Sequence, residues 1–385
     1  MERNTSIDLI RGLVMIIMAL DHVRDLLHVD SLTQSPTDLS STTPILFFTR
    51  WITYLCAPAF VFLAGTSAFL SLKAKNNIAE TRRFLIKRGL WLMLLELTMV
   101  NFGMWFDIGF SILIFEVIAA IGLGFLLLAL LLKLPTISLG IAGMLILVLQ
   151  HVIIPAAPQA GLVEKLISAL FVPGLFPYGH GKMFLVAYPP LPWAAIMLIG
   201  FAAGRYFTLE PVQQRKLFAR TGIILLICFL ILRYNNHYGD PIAWSAQKNS
   251  LYTLLSFLNV SKYPPSLQFT LLFLGIMLLL LAWAQNRNRK MANFISTYGK
   301  VPLFYFLVHW YIIHPFLFLV IWLQGFTGAD MVFGFNFGRP KAESGLPLWG
   351  VYLSWVVLVF MMYPLCKAYG RYKAANLHKA WLRYL

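Results

Sequence analysis

The sequence predicts an all-α, polytopic integral membrane protein, with about ten transmembrane helices in one bundle. It reads as a single domain over residues 1–385 with both termini cytoplasmic. Three observations carry this. Of the 385 residues, 59% are hydrophobic and only 12% charged, half the charge of an ordinary soluble domain. Mean hydropathy is +0.74. Basic residues gather in alternate connections between apolar runs, outnumbering those in the intervening connections roughly two to one. Folding in water, intrinsic disorder and a small disulfide scaffold are excluded.

Apolar runs over 9–28, 51–72, 89–106, 112–132, 136–155, 189–208, 221–235, 265–284, 301–323 and 347–365 define the spans. An even number puts both termini on one face. Most Lys and Arg lie in the connections at 73–88, Lys133, 205–220 and 285–300 and in the C-terminal tail, so that face is the cytoplasm. The net charge of +16 therefore reports topology, and no nucleic-acid partner is expected. The polar start Met1 to Ile10 has no small-residue cleavage site after it, so no signal peptide is expected. The implied location is the inner (cytoplasmic) membrane, multi-pass. Cys56, Cys228 and Cys366 sit far apart in apolar stretches and read as free buried thiols. The extracytoplasmic segments 29–49, 156–188, 236–264 and 324–346 are rich in Pro, Gly and aromatic residues. Segments of that kind often cover or line a site.

Ionisable groups inside spans are expensive and functional by default. The first span runs apolar and then reads DHVRDLLH, crowding Asp21, His22, Arg24, Asp25 and His28 into its outer half. Arg11 and His22 are eleven residues apart, so they share a helix face about 16 Å apart, with Met15 and Met18 between them. Asp25, three residues on, can reach His22, and a histidine beside a carboxylate suits a general base. The same residues also suit a salt-bridge network closing the helix end. In the ninth span, His309 and His314 lie in VPLFYFLVHWYIIHP. Tyr305, one turn before His309, can hydrogen-bond it, whereas His314 beside Pro315 fits a ring satisfied by a backbone carbonyl.

Glu96 and Glu116 stand in the third and fourth spans, where either can pair with Arg11, Arg50 or Arg88. LAGTSA (63–68) has the small residues of a close helix crossing. YPPLPW (188–193) and KYPPS (262–266) are rigid entries to spans, and Lys262 stands where it can meet an anionic ligand. RRFLIKR (82–88) follows from topology and also suits phosphates arriving from the cytoplasm. There is no Walker A loop, dinucleotide fingerprint, GxSxG elbow, HExxH or EF-hand. No metal is expected.

SIDLIRGLVMIIMALDHVRD, with Arg11–Gly12 and His22 eleven residues after the arginine, resembles the opening motif of the transmembrane acyltransferase superfamily. FFTRWITYLCAPAFVFLAGTSAFL (47–70), KRGLWLMLLEL (87–97), YPPLPWAAIMLIGFAAG (188–204), KYPPSL (262–267) and YGKVPLFYFLVH (298–309) are similar to its bacterial heparan-α-glucosaminide N-acetyltransferase-like branch. They are spread over nearly the whole chain. The resemblance implies transfer of acetyl from cytoplasmic acetyl-CoA, as co-substrate, to an amino or hydroxyl group of an extracytoplasmic acceptor, usually a glycan. His22 matches the superfamily's first-span histidine and His309 that of its late Leu–His motif. The heparan-specific enzymes carry Asn where His22 stands and place their histidine in the following loop, where His28 is the counterpart. Their luminal domain has no match here, so heparan itself is not the expected acceptor.

The expected machinery follows. Arg11, Arg82, Arg83, Lys87 and Arg88 are candidates to hold the nucleotide phosphates. His22, oriented by Asp21 or Asp25, takes the acceptor's proton, and His309 or Tyr305 orients the acceptor or stabilises the oxyanion. Arg50, Lys262, Glu96 and Glu116 are the acceptor-side candidates. Direct transfer and an acetyl-histidine intermediate both fit, and a homo-oligomer is allowed. The competing reading is a proton-coupled secondary transporter or flippase, relaying protons through Asp21, His22 and Glu116.

Overall fold

The computed structural model describes residues 5–153, 161–179, 181–285, 290–376 and 378–383. The start of the polar N-terminus, the end of the 136–155 segment with the first positions of the loop after it, and 286–289 lie outside the described residues. Helix α1 spans Thr5–Leu27. It is followed by α2 (Pro44–Thr53) and α3 (Cys56–Lys75), then by α4 (Ile78–Leu95), which continues through a π turn at Glu96–Val100 into α5 (Asn101–Trp105). Strand β1 (Ile112–Phe115) precedes α6 (Val117–Leu131), α7 (Thr136–Ile153) and α8 (Leu162–Ala169). Strands β2 (Gly174–Gly179) and β3 (Lys182–Val186) lead to α9 (Pro190–Ala203), α10 (Pro211–Asn235) and α11 (Ser250–Leu258). The chain ends with α12 (Leu267–Ala284), α13 (Lys290–Lys300), α14 (Pro302–Leu323) and α15 (Leu348–Ala375).

Each of the ten apolar segments contains a helix. Among the described residues, five helical segments are long and apolar enough to cross a membrane: Pro44–Lys75 (α2 and α3 together), Pro211–Asn235, Leu267–Ala284, Pro302–Leu323 and Leu348–Ala375. One expectation needs correcting, because the protein is not wholly α. Strand β3 pairs parallel with β1 (Ile112 opposite Met183) and antiparallel with β2, giving the order β1-β3-β2. The segment 112–132 therefore opens as a strand, since a short apolar run such as ILIF is equally at home in strand and helix. Asn101 fixes it: its amide accepts from Ile114 N at 2.7 Å and donates to Ile114 O at 3.0 Å.

Helix α1 is the central stave, buried along most of its length and packed against α2, α3, α12, α13, α14 and α15. Its approach to α13 depends on missing side chains. A Cβ at Gly12 would sit 1.9 Å from Ile295 O, and one at Gly299 only 1.8 Å from Asp8 O. Backbones meet there as small-residue membrane crossings allow. Gly65, within the LAGTSA segment, does the same against Met197 O.

The break between α2 and α3 falls four residues before Pro58. That proline has no N–H, and its ring opposes the carbonyl of Tyr54. The chain between α10 and α12 is pinned by the fully buried Arg233. Its guanidinium donates to Ile242 O (2.8 Å), Phe257 O (2.8 Å), Ser256 O (2.9 Å) and Asn259 O (2.7 Å). Asp240 extends this hub by accepting from Ser261 N (2.9 Å) and Ser266 Oγ (2.5 Å), the residues flanking Lys262.

Candidate active site

Two neighbouring cavities flank the middle and later part of α1. One, of 280 Å³, opens among the long loops and is lined by Asp21, His22, Asp25, Arg50, Glu116 and Lys262 with aromatic side chains between them. The other, of 340 Å³, lies toward the basic ends of the helices, where Arg11, Arg88, Lys300 and Lys373 share it with Ser67 and Ser71. Its remaining wall is apolar. Phe60, Val117 and Phe306 line both cavities and form the partition between them.

His22 stands at that partition. Its ring stacks on Trp310 at 4.2 Å and meets Phe306 edge-on at 6.1 Å. Its Nδ1 lies 2.6 Å from His309 Nε2, and His309 Nδ1 lies 3.1 Å from Tyr305 O. A carbonyl oxygen only accepts, so His309 Nδ1 carries the hydrogen and its Nε2 accepts. His22 Nδ1 must then donate. The proton-accepting lone pair of His22 is left on Nε2, which meets no protein group among the described residues. This is the polarity a general base needs, and protonating Nε2 keeps the Nδ1–H···Nε2 bond.

The acidic groups of α1 serve a different purpose. Asp21 pairs with Arg24 at 2.9 Å and more closely with Arg50, and Arg24 also bonds Asp25. Asp25 lies 3.9 Å from Arg50. A buried charge tolerates its surroundings only when paired in this way. These ion pairs take up the carboxylates, and the expectation that Asp21 or Asp25 orients His22 gives way to orientation by His309. The salt-bridge network stands beside the hydrogen-bonded pair of His22 and His309.

Other expectations shift for equally local reasons. His28 is buried outside the cavity, its backbone bridged to Leu346 and its carbonyl accepting from Arg339 at 2.9 Å. Burial draws the Arg339 guanidinium down to about 10, against the pull of Asp30. Tyr305 meets His309 through its carbonyl, and its hydroxyl stays buried away from both cavities. His314 Nε2 donates to Phe337 O at 3.0 Å, the backbone-satisfied state read from the sequence. Glu96 pairs with no arginine among the described residues. Its Oε2 accepts from Ala119 N at 3.2 Å, capping α6, whereas Glu116 lines the loop-side cavity.

Of the five phosphate candidates, Arg11 and Arg88 line the basic cavity, and Arg11 donates to Leu63 O (3.0 Å) and Ser67 Oγ (2.6 Å). Arg82 turns to Ala129 O at 2.9 Å, while Arg83 and Lys87 are exposed and line neither cavity. The heptad face was legible, since Phe84, Leu85, Arg88 and Leu92 share the inward stripe and 83 and 87 oppose it. Lys300, Lys373, Trp310 and the three partition residues went unread. The two lysines look like topological charges in sequence, and only the Gly12–Gly299 crossing brings Lys300 beside Arg11.

Comparison with known proteins fits this arrangement. A search of curated proteins found no match. A family model described as "Heparan-alpha-glucosaminide N-acetyltransferase, catalytic" matches residues 3–233. That match covers more than half the chain, from the His22 helix to the end of α10 near Arg233, and stops short of Lys262 and His309. The protein thus belongs to the heparan-α-glucosaminide N-acetyltransferase catalytic family, a family of multi-pass membrane acetyltransferases.

Proposed function

We propose that the protein moves an acetyl group from cytoplasmic acetyl-CoA to an amino or hydroxyl group of an extracytoplasmic, sugar-containing acceptor. In this reading all ten helical segments span the inner membrane, with both termini cytoplasmic and the whole chain acting as one domain. The basic cavity then opens to the cytoplasm. Arg11, Arg88, Lys300 and Lys373 hold the phosphates there as point charges and hydrogen-bond donors. The apolar wall beyond them carries the pantetheine arm toward the partition, and the acceptor enters from the loop side.

The observation that carries the reading is His22, whose ring stands where the two cavities abut with Nε2 unoccupied by protein. The acceptor's nitrogen or oxygen attacks the thioester carbonyl carbon as its proton passes to His22 Nε2. The C–S bond then breaks, and His22 returns that proton to the departing sulfur. His309 accepts from His22 Nδ1 throughout, so the imidazolium forms without reorientation. Arg50, bound to Asp21, keeps the neighbouring carboxylates neutralised and away from the ring.

Acetyl-CoA should raise the melting temperature of the purified protein, by an amount equivalent to about 2.7 kcal/mol at a hundredfold excess over its Kd. S-acetylpantetheine, which lacks the nucleotide phosphates, should do so far less. Lys300→Gln and Lys373→Gln should each weaken the acetyl-CoA effect. Equal stabilisation by both thioesters, or none by either, would defeat the phosphate assignment.

The partition makes a separate prediction. Phe60→Ala removes one of the three side chains closing the cavities from each other, which admits water to the thioester. Acceptor-independent hydrolysis of acetyl-CoA should rise several-fold in this variant. An unchanged hydrolysis rate would mean that Phe60 is not part of the seal.

A further inference from the structure

The charges of the loop-side cavity are unequally satisfied. Arg50 is held by Asp21 and Asp25, and both carboxylates also meet Arg24. Lys262 is different. It is only 6% exposed, yet among the described residues its ammonium makes no hydrogen bond and has no carboxylate within 4.0 Å. Glu116 lines the same cavity beyond that distance. What surrounds the ammonium is a box of tyrosine faces, with Tyr263 at 4.9 Å, Tyr54 at 5.4 Å and Tyr188 at 5.8 Å.

Ring faces compensate a cation only partly, and an ammonium recessed in a cavity with no carboxylate in contact is costly. The position is also built rather than incidental. Asp240 clamps Ser261 and Ser266 on either side, and Asp240 itself lies 3.9 Å from the buried Arg233. A lysine held rigidly, half-caged and facing the acceptor's space lacks an ion-pair partner at contact distance, since Glu116 and Asp21 act on it only from beyond 4.0 Å.

We propose that Lys262 anchors an anionic group, a carboxylate or a phosphate, that the acceptor carries near the amine or hydroxyl to be acetylated. The inference rests on the acyltransferase reading and narrows its acceptor to anionic compounds. Lys262 holds the acid group against the tyrosine box while the neighbouring nucleophile reaches His22 Nε2.

Three probes of one scaffold test this with the full-length enzyme and acetyl-CoA: glucosamine, glucosamine 6-phosphate and 2-amino-2-deoxyglucuronic acid. At least one anionic probe should exceed glucosamine in kcat/KM by about tenfold or more, the effect of one charge-assisted hydrogen bond. Which of the two it is separates phosphate from carboxylate. In Lys262→Met the ratio of anionic to neutral kcat/KM should collapse toward one, mainly through KM. Lys262→Arg, which keeps the charge, should retain much of it. Equal use of the three probes overturns the proposal. So does acetylation of none of them by an enzyme that acetyl-CoA still stabilises, and the acyltransferase reading then survives. Absence of any acetyl-CoA effect defeats that reading and this proposal together.

Discussion

His22→Ala is expected to lower acetyl transfer by about 10²- to 10⁴-fold, the range for loss of a positioned general base. The fold should be retained, because the half-buried ring carries no ion pair and its hydrogen bond is to another neutral ring. His309→Ala should cost nearly as much in kcat, since His22 then loses the group that keeps the hydrogen on Nδ1 and the lone pair on Nε2. His309 is a positioning residue, and a rescue variant separates that role from packing. His309→Gln offers a carbonyl oxygen that can accept from His22 Nδ1, and so should recover part of the rate that His309→Ala loses. Should the glutamine variant be no better than the alanine, hydrogen-bonded orientation is not what His309 supplies.

The largest effect on stability is expected at Arg233, far from the chemistry. Arg233→Leu removes the donors to Ile242, Phe257, Ser256 and Asn259 carbonyls in one step, and leaves Asp240 without its nearby cation. Breaking a buried, hydrogen-bonded ionic hub costs about 3–5 kcal/mol. That is a large share of the 5–15 kcal/mol that stabilises a typical domain. Denaturation of the purified protein should show that loss, and Arg233→Lys, with its charge but fewer donors, should lie between. A leucine variant within about 0.5 kcal/mol of the parent, the range of ordinary surface changes, would remove Arg233 from its structural role. Because Asp240 fixes the residues flanking Lys262, the same variant should also impair acceptor use.

Much of the bundle was legible because hydropathy is a property of each segment by itself. Arg11 and His22 could be related to one another because both lie within α1, where eleven residues fix an angle. What the sequence hides is contact between helices. His22 pairs with His309, 287 positions away, and no spacing rule links them. The nearer carboxylate Asp25 drew the assignment, although Arg24 and Arg50 claim it. Lys300 and Lys373 were unreadable for a related reason: a lysine at a basic helix end is accounted for by charge bias alone, whether or not it also lines a cavity. The parallel pairing of 112–115 with 182–186 was hidden too, since these strands are short, largely apolar and far apart in the chain.

Sided membrane vesicles give the decisive measurement. Radiolabelled acetyl-CoA is supplied only on the cytoplasmic face, with an amino-sugar acceptor only on the opposite face. The account predicts labelled N-acetylated product on the acceptor side in wild-type vesicles and almost none with His22→Ala. Label that reaches product only when donor and acceptor share one face, or an undiminished yield in the alanine variant, would contradict it.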